Sequence, residues 1–124
     1  MVKENLNPLE NSQRQVKAAC DALGLDPAVY EILKEPQRVI EVNIPVRMDD
    51  GNMKSFKGFR ASHNDSVGPT KGGVRFHPGV TLEEVKALSI WMTFKGGVMG
   101  LPYGGGKGGI ICDPLTLSQG ELER

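Results

Sequence analysis

The stretch from Ala87 to Cys112, ALSIWMTFKGGVMGLPYGGGKGGIIC, carries only two charged side chains, Lys95 and Lys107. A segment this apolar demands burial and obliges the rest of a short chain to fold around it. An ammonium with no acidic neighbour in sequence resists that burial. A lysine kept in such a setting is expected to meet an anion or to give up its proton, because desolvation pulls a lysine pKa down. The stretch is therefore the expected active site, and its second lysine, Lys107, sits among glycines 104–106 and 108–109.

The 124 residues leave room for one domain with a real core. Equal numbers of acidic and basic residues, 15 of each, argue against a nucleic-acid or polyanion binder, which needs a basic excess. No run of 18 apolar residues and no charged-then-apolar leader is present, so neither a membrane span nor a secretion signal is expected. Cys20 and Cys112 lie far apart and match no metal spacing. Both read as reduced, buried thiols of a cytoplasmic protein. Asn64-Asp65-Ser66 fits the glycosylation pattern only by coincidence in such a protein.

The first seven or so residues are polar and expected to fray. From Glu10 to Leu23, Val16, Cys20 and Leu23 fall at i, i+4, i+7 and predict an amphipathic helix. Asp26-Pro27 starts a second helix that ends at Glu35-Pro36. The period then becomes two, with Ile40, Val42, Ile44 and Val46 alternating against Val39, Glu41, Asn43, Pro45 and Arg47. A turn at 49–52 and a return strand from Met53 to Ser62 predict a β-hairpin, with Pro45 marking an edge or a break. Residues 66–78 read as loop. Thr81 with Glu84 forms a capping box for a helix with Val85, Leu88, Met92 and Lys95 on one face. Ile90, Trp91 and Phe94 fill much of the remainder, so that helix is expected to pack on both sides. Lys95 is expected at the end of the buried face. The glycine run reads as a loop, and Ile110 to Cys112 as a short strand. Ser118 opens a second capping box with barely a turn behind it, which reads as the front part of a longer protein.

Gly104 to Gly109 formally satisfies G-x-G-x-x-G, yet the dinucleotide fingerprint needs a strand before and a helix after. Pro102-Tyr103 precedes and an apolar strand follows, so that reading is rejected. The phosphate loop fails as well, with Leu101 and Gly108 at positions that require glycine and a hydroxyl. Two readings remain: glycines that let backbone approach a small ligand while aiming Lys107 at it, or a glycine-rich turn with a solvated lysine. Lys71-Gly72-Gly73 with Arg75 adds a local basic excess that fits a small anion. His63 and His77 stand alone and read as structural. No paired carboxylates and no Ser/His or Cys/His set is spaced for hydrolysis.

Three ordered motifs, GPTKGGVRFHP (68–78), KALSIWMTFK (86–95) and LPYGGGKGGI (101–110), followed by Asp113-Pro114, resemble the Glu/Leu/Phe/Val dehydrogenase family from about Tyr30 onward. The resemblance implies an α/β fold, a mixed β-sheet flanked by helices. It implies that residues 1–124 are an N-terminal substrate-binding and oligomerisation domain, cut short at its C-terminus, of a hexameric enzyme. By motif, Lys107 is the expected catalytic lysine, Lys95 the partner of the substrate α-carboxylate, and Lys71 the partner of the side-chain carboxylate. Gly72, Gly73 and Met92 complete the expected substrate-binding set. A lysine at position 71 favours glutamate, since relatives acting on apolar amino acids carry an apolar residue there. The implied reaction passes hydride from Cα of glutamate to a nicotinamide, and water hydrolyses the imine to 2-oxoglutarate and ammonia. The assisting aspartate and the site for NAD or NADP are expected beyond Arg124, so these residues alone should be inactive, with no cofactor-binding residue and no metal site. Two rivals stand beside this reading: a non-enzymatic oligomerisation or small-anion binding module, and a dehydrogenase for another amino acid.

Overall fold

The computed structural model describes residues 7–124. The expected fraying of the first residues falls on 1–6, outside the described residues, but Asn7 itself is ordered as a helix cap. Its side-chain oxygen accepts from the backbone N–H of Leu9 (2.9 Å) and Glu10 (3.4 Å). Helix α1 runs Pro8–Ala22 and α2 runs Pro27–Leu33, the latter capped by Asp26, which accepts from Ala28 N–H at 2.8 Å.

Strands β1 (Arg38–Arg47) and β2 (Met53–Asn64) form the expected antiparallel hairpin. Gly51 turns the chain at φ +88°, a conformation that side-chain-bearing residues rarely adopt. Residues 66–78 are not wholly loop. They contain β3 (Thr70–Lys71) and β4 (Val74–Phe76), both paired in parallel to a later strand. Helix α3 spans Leu82–Val98 and leaves through Gly100 at φ +64°. The strand β5 is Gly104–Ile110, then a 3-10 turn covers Pro114–Thr116 and α4 covers Gln119–Glu123.

The glycine run was expected as loop and Ile110 to Cys112 as strand; the glycines are the strand. Glycine has little intrinsic preference for strands, and here tertiary contact overrides it. A Cβ on Gly105 would collide with Thr93 and the Ser89 carbonyl of α3, one on Gly104 with the Asn64 carbonyl, and one on Gly109 with Val80 and Val85. The bare positions Gly105 and Gly109 let the helix lie this close.

The sheet order is β1-β2-β5-β3, with β4 also on β5. β2 pairs with β5 antiparallel, while β3 and β4 pair with it in parallel, so the sheet is mixed as expected. β1 lies at the sheet edge, where Pro45 is tolerated. Phe59, Ala61, Val80 and Val85 form the core between sheet and α3. Ile90, on another side of α3, packs on Val16 and Cys20 of α1. A third cluster, Val46, Phe56 and Cys112 with Leu117, covers one end of the opposite sheet face. The rest of that face is open: Ile40 is 47% exposed, Val42 42%, Val74 51% and Phe76 44%. Cys20 and Cys112 are buried free thiols, as expected. No described helix is long and apolar enough to cross a membrane.

Candidate active site

Period-two geometry divides β5 into two faces. Gly104, Gly106, Gly108 and Ile110 look toward the open side, and Gly105, Lys107 and Gly109 toward α3. Lys71 stands opposite Gly105 across the parallel ladder and shares its face. The ladder resumes at Val74 opposite Gly108. In between, Gly72 and Gly73 pass beside Gly106 and Lys107. A Cβ on Gly72 would run into the Gly106 carbonyl. The Gly72 carbonyl accepts from the Arg60 guanidinium at 3.3 Å, and the Gly73 carbonyl from Gly108 N–H at 2.9 Å. Beside Gly73 lies the Lys107 ammonium, 3.6 Å from where a Cβ would stand.

Helix α3 brings the remaining groups. Lys71, Met92 and Lys95 line one pocket with Gly96, Met99, Leu101, Tyr103 and Gly104. Of the expected set, Lys71, Met92 and Lys95 therefore converge directly, while Lys107 and Gly73 adjoin them on the next positions of the same sheet face. Gly72 contributes backbone only. Lys95 is exposed, not buried as its wheel position predicted, and Lys107 is half-buried. The stripe that α3 buries is Val85, Ser89 and Gly96 on one side and Ala87 and Ile90 on another.

Among the described residues no carboxylate forms an ion pair with Lys71, Lys95 or Lys107. The nearby cation Arg75 is neutralised by Glu84. That pairing also takes Glu84 away from the expected capping box. Thr81 still accepts from Glu84 N–H at 3.2 Å, and the reciprocal bond gives way to the ion pair. The site thus offers unpaired positive charge from two strands and a helix, suited to a small ligand with more than one carboxylate.

Tyr103, Met99 and Leu101 were missed from the sequence. Counting back by two from Lys107 through Gly105 reaches Tyr103, a signal available only once the glycines are seen as strand. His63, read as structural, is fully buried, and burial holds its ring below the ordinary histidine range, in the neutral form at pH 7. Burial likewise pushes the Cys112 thiol up, which suits a packing thiol. No group of three or more His, Cys, Asp or Glu among the described residues is arranged as a metal site. Nor do these residues fit a dinucleotide: the glycine run is a central strand with no helix opening from it, so it offers no helix N-terminus to a pyrophosphate.

Residues 36–124 match the family model described as Glu/Leu/Phe/Val dehydrogenase, dimerisation domain. The NAD-specific glutamate dehydrogenase of Clostridioides difficile is 71% identical over all 124 residues, which cover 30% of that protein. That of Peptoniphilus asaccharolyticus is 67% identical over 98% of the chain and 29% of its own length. Among solved structures, the P. asaccharolyticus glutamate dehydrogenase superposes with a TM-score of 0.93 at 69% identity, over 95% of this chain and 30% of the other. A hetero-hexameric glutamate dehydrogenase from Thermus thermophilus gives 0.90 at 41% identity, over 98% and 29%. The chain spans about 30% of the length of the curated relatives it matches. The likeness extends through α1 and α2, beyond the Tyr30 boundary that the motifs marked.

Proposed function

This chain belongs to the Glu/Leu/Phe/Val dehydrogenase family, and from that premise we propose that its residues 1–124 form the substrate-binding and oligomerisation domain of an NAD-dependent glutamate dehydrogenase. The reaction is oxidative deamination of L-glutamate to 2-oxoglutarate and ammonia. The observation that carries this reading is the set of unpaired lysines, Lys71, Lys95 and Lys107, on one side of the sheet. Lys95 pairs with the α-carboxylate and Lys71 with the γ-carboxylate, while Met92, Gly72 and Gly73 shape the pocket between them. Lys107, half-buried beside Gly73, serves as the proton-transferring lysine. The names of the relatives support NAD over NADP as the oxidant, and residues other than these bind it. These 124 residues alone turn over no glutamate. The open apolar sheet face, with the family's description as a dimerisation domain and the hetero-hexameric T. thermophilus relative, supports a hexamer, which for copies of one chain is a homo-hexamer. Buried free cysteines support a cytoplasmic location.

The test is a substrate switch in the full-length enzyme. Lys71 is exposed, and removing it takes away the cation proposed to pair with the γ-carboxylate. Lys71→Leu is expected to lower kcat/KM for glutamate by about 30-fold or more, with activity on norvaline or methionine equal or improved. Equal losses on both classes would remove Lys71 from side-chain recognition.

A further inference from the structure

Lys95 meets a carboxylate, and Met92 walls the pocket beside it, only while α3 holds its rotation above β5. Their placement is sensitive: turning a helix by about 15° carries a side-chain end ~6 Å from its axis through about 1.5 Å. A polar contact at a single point on α3 opposes that turn. His63 is fully buried, and both of its ring nitrogens are engaged. Nε2 lies 2.8 Å from the Leu33 carbonyl, which can only accept, so Nε2 carries the proton. Nδ1 is then the acceptor, and the Thr93 hydroxyl donates to it at 2.7 Å. Thr93 stands between Met92 and Lys95 on α3, and its Oγ1 and backbone nitrogen press on the side of Gly105 that bears no side chain. His63 itself falls where the β2–β5 register shifts between Ser62 and Asn64, an irregularity of the kind that re-aims a side chain. One imidazole thus joins the end of α2, the irregular end of β2 and the middle of α3.

We propose that His63 is a positioning residue: through the Thr93 hydroxyl it sets the rotation of α3 on β5, and with it the reach of Lys95 toward the amino-acid carboxylate and the place of Met92 in the pocket wall. This rests on the reading of those two residues given above. Thr93 needs no contact with substrate for the effect. A misplaced ammonium weakens substrate binding, whereas the proton-transferring Lys107 rides on the sheet and stays where it is.

The test compares Thr93→Val, which keeps the shape and removes the hydroxyl, with Thr93→Ser, which keeps the hydroxyl, both in the full-length dehydrogenase. The valine variant is expected to raise KM for glutamate at least fivefold with kcat within twofold of wild type. The serine variant should stay within twofold in both constants. If the valine variant does not fold, Thr93→Ala removes the same hydroxyl with room for a water at Nδ1, and the same split is required of it. An active wild type with KM unmoved in the hydroxyl-free variant overturns the proposal alone, as does a fall in kcat without a rise in KM. A wild type that oxidises no glutamate overturns the proposal together with the reading beneath it.

Discussion

Two glycines of one motif neighbourhood separate packing from conformational freedom. Gly105 has the Thr93 nitrogen and the Ser89 carbonyl where a Cβ would go, and neither backbone atom can swing aside. Gly97, in the last turn of α3, has nothing within 4 Å. Gly105→Ala must push α3 off the sheet and is expected to cost about 3 kcal/mol or more, at the upper end for overpacking. Gly97→Ala should stabilise by about 0.5–1 kcal/mol, because alanine loses less backbone entropy in a helix. Urea unfolding of this chain, followed through its single Trp91, measures both. A neutral Gly105→Ala would mean that the helix is not seated on the strand as described. The same contrast explains what could be read beforehand. Lys71, Lys95 and Lys107 stood out because charge is conspicuous in an apolar sequence. A glycine gives no sign of whether it serves a turn, a ligand or a neighbouring helix, so the reason for the glycine run emerged only from the packing.

At the scale of elements, periodicity made α1, α2, the β1–β2 hairpin and α3 legible. The caps were legible in part, since Asp26 caps α2 as expected while Asn7 caps α1 unannounced and Glu84 leaves the α3 capping box for Arg75. Periodicity was silent for β3, β4 and β5, which are short or nearly devoid of side chains, so no alternation could appear. The His63 link between α2, β2 and α3 was also hidden, since its partners lie 30 residues away on either side. That link makes stability depend on pH. Burial holds the ring of His63 below its unfolded value of about 6.5. Below pH 6.5 the unfolded chain binds a proton that the folded chain refuses, so stability falls as pH falls, by at most about 1.4 kcal/mol per unit, until the folded pKa is reached. Asp49 and Asp50 are held below the usual carboxylate range, by the Ser118 hydroxyl and Arg124 and by Asn52 respectively. Their contribution is lost only on further acidification, from about pH 4 downward. Urea midpoints between pH 7.5 and 5 should therefore decline in the wild type and stay nearly level in His63→Gln. Parallel declines in both would assign the dependence to other groups.

The whole molecule is covered unevenly. Helices α1, α2 and α3 stack on one face of the sheet, while Ile40, Val42, Val74 and Phe76 leave much of the other exposed. Beyond it, α3 ends in Val98, 87% exposed, and Met99, 72% exposed. Apolar patches of this kind on a small domain mark contact surfaces. The chain is expected to self-associate at tens of micromolar in sedimentation velocity, and Val42→Glu with Val74→Glu should shift it toward monomer. A folded wild type that sediments as a strict monomer would leave both patches to other partners. Chain order adds a consequence for synthesis. β2 and β3 are close in sequence yet are not neighbours in the sheet, because β5 lies between them. A nascent chain has made the hairpin and β3 before the strand that joins them leaves the ribosome. Until Gly104–Ile110 threads into that gap, β2 and β3 both present open edges of the kind that recruit other chains. Final assembly of this domain waits on its most featureless strand, and the same insertion delivers Lys107.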